Sequence, residues 1–486
     1  MENMTAGKIA EAVGGQILWG DPLKEVADIC IDSRRVKPGD LYVPIIGERV
    51  DGHRFIPGAI AAGAAAVFTS EGSLAESLPD GSRPGSDGED ASLAVWIAVE
   101  DTRRALQKLG GYCRDRLAIP IVGVTGSVGK TSTRSMIAAA LSAGFRTFQT
   151  EGNANSQVGT PIMLSRITGA YEAAVIELGM SEPGEMTRIA SIARPDIAVM
   201  TNIGISHIEQ LGSQAGILRE KLHITDGMGP TGRMILNGDD PYLNPQAHPG
   251  AETVEELTEC TARFPAAYYG LEEGSDYRAC EIHAGEKGTA FTLVCEKGRV
   301  PVELGLTGLH HVRNALAALA AADLLGVDLE AAAWALGEFA GVAHRQEKIE
   351  FPQMGLTVID DSYNASPDSM RAAIDTLRMT EAAGRKVAVL ADMWELGPET
   401  RRYHREVGEY LGKTDVTVLV TVGELAREIA AGALSVKKEL TWVGLADYLE
   451  AGSWLDDHRE EGDLILLKGS NGMKLFEITE QWKKRR

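Results

Sequence analysis

The chain has 486 residues, too many for a single hydrophobic core, and a length in this range divides into about two to four domains. Its 44% apolar and 24% charged content is that of an ordinary water-soluble globular protein. The formal net charge of −21 excludes general affinity for nucleic acid or an anionic membrane, because the overall field repels phosphate. A local anion site built from backbone N–H groups stays open.

The N-terminus "MENMTAGKIAEAVGG" has no basic segment followed by an apolar run. No stretch approaches the ~18 uninterrupted apolar residues of a membrane helix. A cytoplasmic protein without a membrane span is expected. Five cysteines, Cys30, Cys113, Cys260, Cys280 and Cys295, form no CxxC pair and read as reduced thiols.

Three blocks follow along the chain. Residues 1–100 carry short apolar segments, "LYVPII", "AAVFTS" and "LAVWIAV", separated by Gly, Pro and Asp. Within them "LPDGSRPGSDGEDAS", residues 78–92, reads as an exposed loop. Residues 101–344 open with the helical pattern "DTRRALQKLGGYCRDRLA" and the apolar run "IPIVGVT". The runs "AAVIELG", "DIAVMTNIG" and "RMILNGD" come next, with helical stretches between most of them. That alternation predicts a parallel sheet covered on both faces. From about residue 267 to 306 the pattern predicts short antiparallel strands, and the Ala-rich "RNALAALAAADLLG" a helix. Residues 345–486 repeat the rhythm with "LTVIDDS", "KVAVLAD", "VTVLVTVG" and "LILLKGS", which predicts about four parallel strands in a Rossmann-like sheet without a GxGxxG fingerprint. The fold class is α/β in three domains: a small α/β domain, a central P-loop parallel-sheet domain with an antiparallel addition, and a C-terminal Rossmann-like domain.

The stretch "VGVTGSVGKTSTRSM" carries the chemistry of a phosphate loop. A strand feeds a tight turn in which Gly126 and Gly129 can take left-handed angles. Ser127 and its neighbours offer inward N–H groups, Lys130 can reach outer phosphates, and Thr131 or Ser132 supplies a hydroxyl for Mg²⁺. The helix that follows adds its dipole. Val124 occupies the place of the first Gly in GxxxxGK[ST], a position that shapes only the approach to the loop. Beyond it, Glu177 in "AVIELGM" and His207 in "TNIGISHIEQLGS" fall at the C-terminal ends of strands of one sheet, where open α/β sheets bind ligands. Glu177 and the Thr131 hydroxyl suit a hard Mg²⁺, for which an imidazole is a less usual ligand. By residue chemistry alone Lys221 in "LREKLHI" reads as a solvated helix lysine.

With these residues in view, the chain resembles the Mur ligase family, ATP-dependent amide-forming enzymes of peptidoglycan precursor synthesis. "TGSVGKTS" is similar to the family's TGxxGKT/S loop, where an apolar residue stands at the position of Val124. The resemblance implies Mg²⁺, with Mn²⁺ an alternative, on Thr131, Glu177, His207 and a carbamylated Lys221. It makes Lys130, Lys221, His207 and Glu177 the catalytic set. ATP would lie on Gly126, Ser127, Gly129, Lys130, Thr131 and Ser132. His310 and Asn314 in "LHHVRNALAALAAA" fit the family's H-x-x-x-N helix start, with Asn314 near the adenine. Arg345 in "VAHRQE" matches the hinge arginine, although Ala343 and His344 replace the usual Pro-Gly. Asp361 would orient ATP.

Within the family, "DDSYNASPDSM", "ADMWELG" and "LLKGSNGMKLFEI" resemble the member that adds D-alanyl-D-alanine to a UDP-N-acetylmuramoyl-tripeptide (UDP-MurNAc-tripeptide). Its amide-rich loop is matched by "GNANSQVG", with Ser156 in place of a second Asn. Asn153, Asn155, Ser156, Tyr363, Asn364 and Lys468 are the substrate candidates there. Ser33 and Arg34 in "DSRRVKPGD" are candidates for the UDP-MurNAc part. The D-N-P-R motif of the member that adds the third amino acid is absent, and that member is the alternative. A monomer is expected.

Overall fold

A computed structural model of the chain describes residues 1–47, 50–70, 94–285 and 288–485. The polar stretch 78–92, expected as an exposed loop, lies outside them. Three sheets are arranged in chain order, each clothed by helices.

The first sheet has five strands in the order Gln16–Trp19, Val95–Val99, Ala66–Ser70, Leu41–Tyr42, Ile29–Cys30. The last four pair in parallel, while Gln16–Trp19 runs antiparallel to Val95–Val99. The strands Gln16–Trp19 and Ile29–Cys30 escape a reading by apolar runs because they are short and only partly buried.

The central sheet has nine strands. From one edge the order is Thr147–Gln149, Ala173–Glu177, Ile121–Thr125, Ile197–Met200, Arg233–Asn237, Ala266–Gly270, Tyr277–Gly285, Gly288–Cys295, Gly298–Leu304. One expectation is corrected here. The pattern predicts antiparallel strands from about residue 267, but Ala266–Gly270 pairs in parallel with Arg233–Asn237 and with Tyr277–Gly285. The antiparallel addition begins only at the hairpin joining Tyr277–Gly285 to Gly288–Cys295. A run of tyrosines and turn residues does not reveal strand direction, which the register to Arg233–Asn237 sets. The four central strands are buried nearly throughout, as a sheet covered on both faces requires. Helix Lys130–Leu141 packs against the Ala-rich Leu309–Leu324, whose small side chains let the two approach closely.

The third sheet has six strands rather than about four: Glu347–Phe351, Leu356–Asp361, Leu464–Lys468, Lys386–Ala391, Val418–Val422, Thr441–Leu445. Glu347–Phe351 is an antiparallel edge strand and the remaining five are parallel. Both additions are amphipathic or exposed edge strands, which apolar runs do not mark. Helix Pro367–Met379 begins with a capping box in which Ser366 accepts from the Ser369 N–H.

Candidate active site

Strand Ile121–Thr125 lies between Ala173–Glu177 and Ile197–Met200, so the chain leaves toward both sides of it. Such a switch point opens a crevice at the strand C-termini, and the phosphate loop fills it. Gly126 has φ +149°, and a Cβ there would run into the Thr201 side chain; Gly129 has φ +86°. Asn202 clamps the loop at three points. Its carbonyl accepts from Ser127 N at 3.0 Å, its Oδ1 accepts from Val128 N at 2.9 Å, and its Nδ2 donates to the Val128 carbonyl at 3.0 Å. Val124 is fully buried in the strand, which explains why an apolar residue suits it.

Two lysines converge on one carbonyl beneath this loop. Lys130 Nζ donates to Gly126 O at 2.8 Å and to Ser127 O at 3.3 Å, and Lys221 Nζ donates to Gly126 O at 2.9 Å. The solvated reading of Lys221 is therefore corrected, for its side chain is buried at 2% exposure. Burial, then the Lys130 charge, holds its pKa well below the lysine range, with Glu220 opposing. Burial also lowers Lys130.

Glu177 ends its strand at 2% exposure. Asn155 Nδ2 donates to its Oε1 at 2.7 Å, while Oε2 lies 3.9 Å from the Arg134 guanidinium and accepts no hydrogen bond. An orphaned, buried carboxylate oxygen is a donor that a hard cation beside phosphates would take. His207 sits at φ +64° before a short helix. Burial, with Lys130 and Lys221 nearby, pushes its imidazole down to about 4, so it is neutral with a lone pair to give. Glu395 lies 3.0 Å from its Nδ1 but out of hydrogen-bonding alignment.

The third sheet closes the other side. Asp361 and Lys468 end neighbouring parallel strands and pair at 2.7 Å, both buried, and Lys468 also donates to Asn364 O at 3.0 Å. Burial raises the Asp361 pKa and lowers that of Lys468, each opposed by the other's charge. Arg345 crosses between sheets: its Nη2 donates to Thr131 Oγ1 at 3.2 Å, and its guanidinium carbon stands 3.9 Å from the Tyr363 ring centroid. Asn314 Oδ1 accepts from Thr133 Oγ1 at 3.0 Å at the loop's far end.

The two sheets enclose a cleft of about 410 Å³. Ser127, Gly129, Lys130, Thr131 and Ser132 line it from the phosphate loop; Asn153, Asn155, Ser156, Glu177 and His207 from the strand ends beside it. His310 and Asn314 line it from the helix Leu309–Leu324 beside the loop, and Arg345, Asp361, Tyr363, Asn364 and Lys468 from the facing wall. Gly126 and Lys221 lie behind the loop rather than on the cleft surface. Ser33 and Arg34 are not brought to it. They sit in the turn Ser33–Arg35 of the first sheet, where Asp32 caps the turn and pairs with the exposed Arg34 at 2.8 Å. Hydrogen bonds from Arg34 bring the Asp32 pKa down to about 2. Residues not anticipated from sequence are Arg134, Asn202, Tyr269 and Gln346. Arg134 is one helical turn beyond Lys130, and Asn202 directly follows a buried strand; both positions were available as signals.

Comparison with known proteins bears on this geometry. Three Mur ligase profiles match consecutive segments: the family's catalytic domain over 25–112, the middle domain over 124–322 and the glutamate ligase domain over 344–471. The UDP-N-acetylmuramoyl-tripeptide–D-alanyl-D-alanine ligase of Bacillus subtilis (strain 168) is 36% identical, over 99% of this chain and 98% of its own. The chain belongs to the Mur ligase family. The ligase of the same name from Escherichia coli (strain K12) is 34% identical over 89% of each chain. Among solved structures, MurF from Acinetobacter baumannii superposes with a TM-score of 0.83 at 30% identity, covering 99% of this chain and 98% of that one. The MurF ligase from Thermotoga maritima in complex with ADP gives 0.76 at 26% identity, covering 95% and 99%. The likeness to a UDP-N-acetylmuramoyl-L-alanyl-D-glutamate–2,6-diaminopimelate ligase, TM-score 0.52 at 18% identity, extends to the fold alone. Among the described residues no helix is long and apolar enough to cross a membrane.

Proposed function

We infer that this Mur ligase joins D-alanyl-D-alanine to UDP-MurNAc-tripeptide at the expense of ATP, giving UDP-MurNAc-pentapeptide, ADP and phosphate. The observation that carries the reading is full-length similarity, 36% identity in one case, to ligases of that name, in a chain whose cleft joins a phosphate loop to a second wall of buried charges.

A carboxylate is a poor acyl donor, so the tripeptide's terminal carboxylate takes the γ-phosphoryl group and becomes an acyl phosphate. The dipeptide amine then attacks the acyl carbon, the C–O bond to phosphate breaks, and an amide remains. Two anions must meet in the first step. The loop N–H groups, the helix N-terminus and Lys130 hold the triphosphate, with Lys130 leaving its carbonyl contacts for phosphate oxygens. Thr131, Glu177 and His207 would hold Mg²⁺, which supplies neutralisation of the repulsion between carboxylate and triphosphate. Lys221, whose pKa burial lowers, would in its neutral form attack CO₂ and lose a proton, becoming a carbamate that offers an anionic oxygen ligand.

Asn314 would face the adenine, and Asp361 and Arg345 would orient the nucleotide. Asn153, Asn155 and Ser156 suit the peptide amides. Tyr363, Asn364 and Lys468 present the wall from which the dipeptide would approach, and Ser33 and Arg34 would meet the nucleotide-sugar. Closing the sheets on one another excludes water from the acyl phosphate. We place the domain boundaries at 1–100, 101–344 and 345–486, and propose a cytoplasmic monomer.

The test is ADP release across pairs of substrates. Turnover is expected with UDP-MurNAc-tripeptide plus D-alanyl-D-alanine, and Lys130→Ala should cut it by about a hundredfold or more. Turnover with the UDP-dipeptide precursor plus diaminopimelate or lysine would replace this reading with third-residue addition.

A further inference from the structure

The crossing between the central and third sheets is a tight turn in which Arg345 N donates to Val342 O at 3.1 Å. Two non-glycine residues of this turn lie in the left-handed region, His344 at φ +57° and Gln346 at φ +56°. Side chains there cost free energy and persist where the surroundings over-determine them. At His344 the surroundings do so from four sides. Nδ1 lies 2.9 Å from Asp360 Oδ2, the backbone N–H donates to Glu347 Oε2 at 3.1 Å, and the carbonyl accepts from Tyr363 N at 3.2 Å. The ring packs on Phe476 at 5.6 Å.

Asp360 is an anchor rather than a surface partner. It is fully buried, and its oxygens also accept from Ser362 N at 3.1 Å, from the Ser362 hydroxyl and from Thr479 Oγ1 at 2.6 Å. Burial alone would raise this carboxyl, yet the bonds from His344, Ser362 and Thr479 hold it below the usual carboxylate range. Asp360 and Asp361 point to opposite faces of one strand. One faces the turn, and the other, with Lys468, faces the cleft. The charged groups around His344 are Asp360 on Leu356–Asp361, Glu347 on the edge strand and Lys483 on Phe476–Lys483, the last 3.6 Å from Glu347.

Arg345 is the next residue. Its guanidinium is held between the Tyr363 ring and Thr131, and the N–H of that same Tyr363 bonds the His344 carbonyl. We propose that His344 is a positioning residue: it fastens the 342–346 turn to Asp360 and Tyr363, and so holds Arg345 across the phosphate loop. The proposal rests on the ligase reading only in that Arg345 must serve ATP turnover. A glycine in place of His344 would accept the left-handed turn without fastening it. Here a side-chain anchor holds a turn that glycine would leave free.

A double-mutant cycle on ADP release tests the assignment. His344→Gly keeps the turn accessible and removes the anchor, and His344→Asn tolerates positive φ and keeps a side-chain N–H donor. His344→Gly is expected to lower kcat/KM for ATP by about tenfold, with His344→Asn recovering most of the loss. In an Arg345→Ala background, His344→Gly should cause no further loss, because nothing remains to be positioned. Losses that multiply in the double variant, or full activity of His344→Gly, would overturn the proposal. If Arg345→Ala alone keeps wild-type turnover, the placing of Arg345 in the site fails, and the role of His344 fails with it.

Discussion

The phosphate loop of the central sheet and the Ser33–Arg35 turn of the first sheet, proposed above to meet ATP and the nucleotide-sugar, are held in different ways. The loop is fixed by Asn202, by Gly126 and Gly129 and by two buried lysines sharing one carbonyl. The turn carries an exposed Arg34 that pairs with Asp32, two residues before it. A cradle of backbone N–H groups exists before ligand arrives and needs no reorganisation. An exposed guanidinium paired in water contributes little until a ligand desolvates it. The first should therefore govern turnover and the second only affinity.

That contrast can be broken at three levels. Lys221→Ala should nearly abolish ADP release, by about a hundredfold or more, with partial recovery on adding short carboxylates. Full activity without added carboxylate would remove Lys221 from the chemistry. Next, Lys468→Met leaves Asp361 buried without its partner and should cost about 3–5 kcal/mol in a urea melt. The pair Asp361→Asn with Lys468→Met should cost less than the single change, since no charge is stranded. A double variant that is no more stable than the single one would mean the pair is not what holds these strand ends. Smallest, Arg34→Ala should raise KM for the UDP-tripeptide about severalfold, with kcat and Tm unchanged. An unchanged KM would separate the turn from the nucleotide-sugar.

Much of the candidate site could be read before any coordinates. "VGVTGSVGKTSTRSM" contains strand, turn, lysine and helix in order, because a phosphate loop is local in sequence and its physics acts within fifteen or so residues. Glu177 could be placed at a strand end since buried strands announce themselves as apolar runs, whereas His207, expected at a strand end too, lies beyond Ile197–Met200 at the cap of the helix Ile208–Leu211. Lys221 was legible only through family resemblance. Nothing local distinguishes it from a surface lysine, and its burial depends on packing behind Gly126, 95 residues away in sequence. Arg134 was passed over for the same reason, as its partners Thr150 and Glu177 come from other elements. The parallel direction of Ala266–Gly270 and the strands Glu347–Phe351 and Thr441–Leu445 were missed because edge position and register are properties of a sheet, not of a segment.

The sequence by itself determined three α/β blocks, a phosphate loop with Val124 buried in its feeding strand, and the chemical kinds of residue around the strand ends. Tertiary structure alone decided which of those residues meet. It brought Arg345 onto Thr131, Lys468 onto Asp361 and His344 onto Asp360, pairs drawn from separate elements. The physical reason is that helix, turn and loop propensities act over a few bonds. Burial of a charge and the choice of its partner are settled only when distant strands are laid side by side.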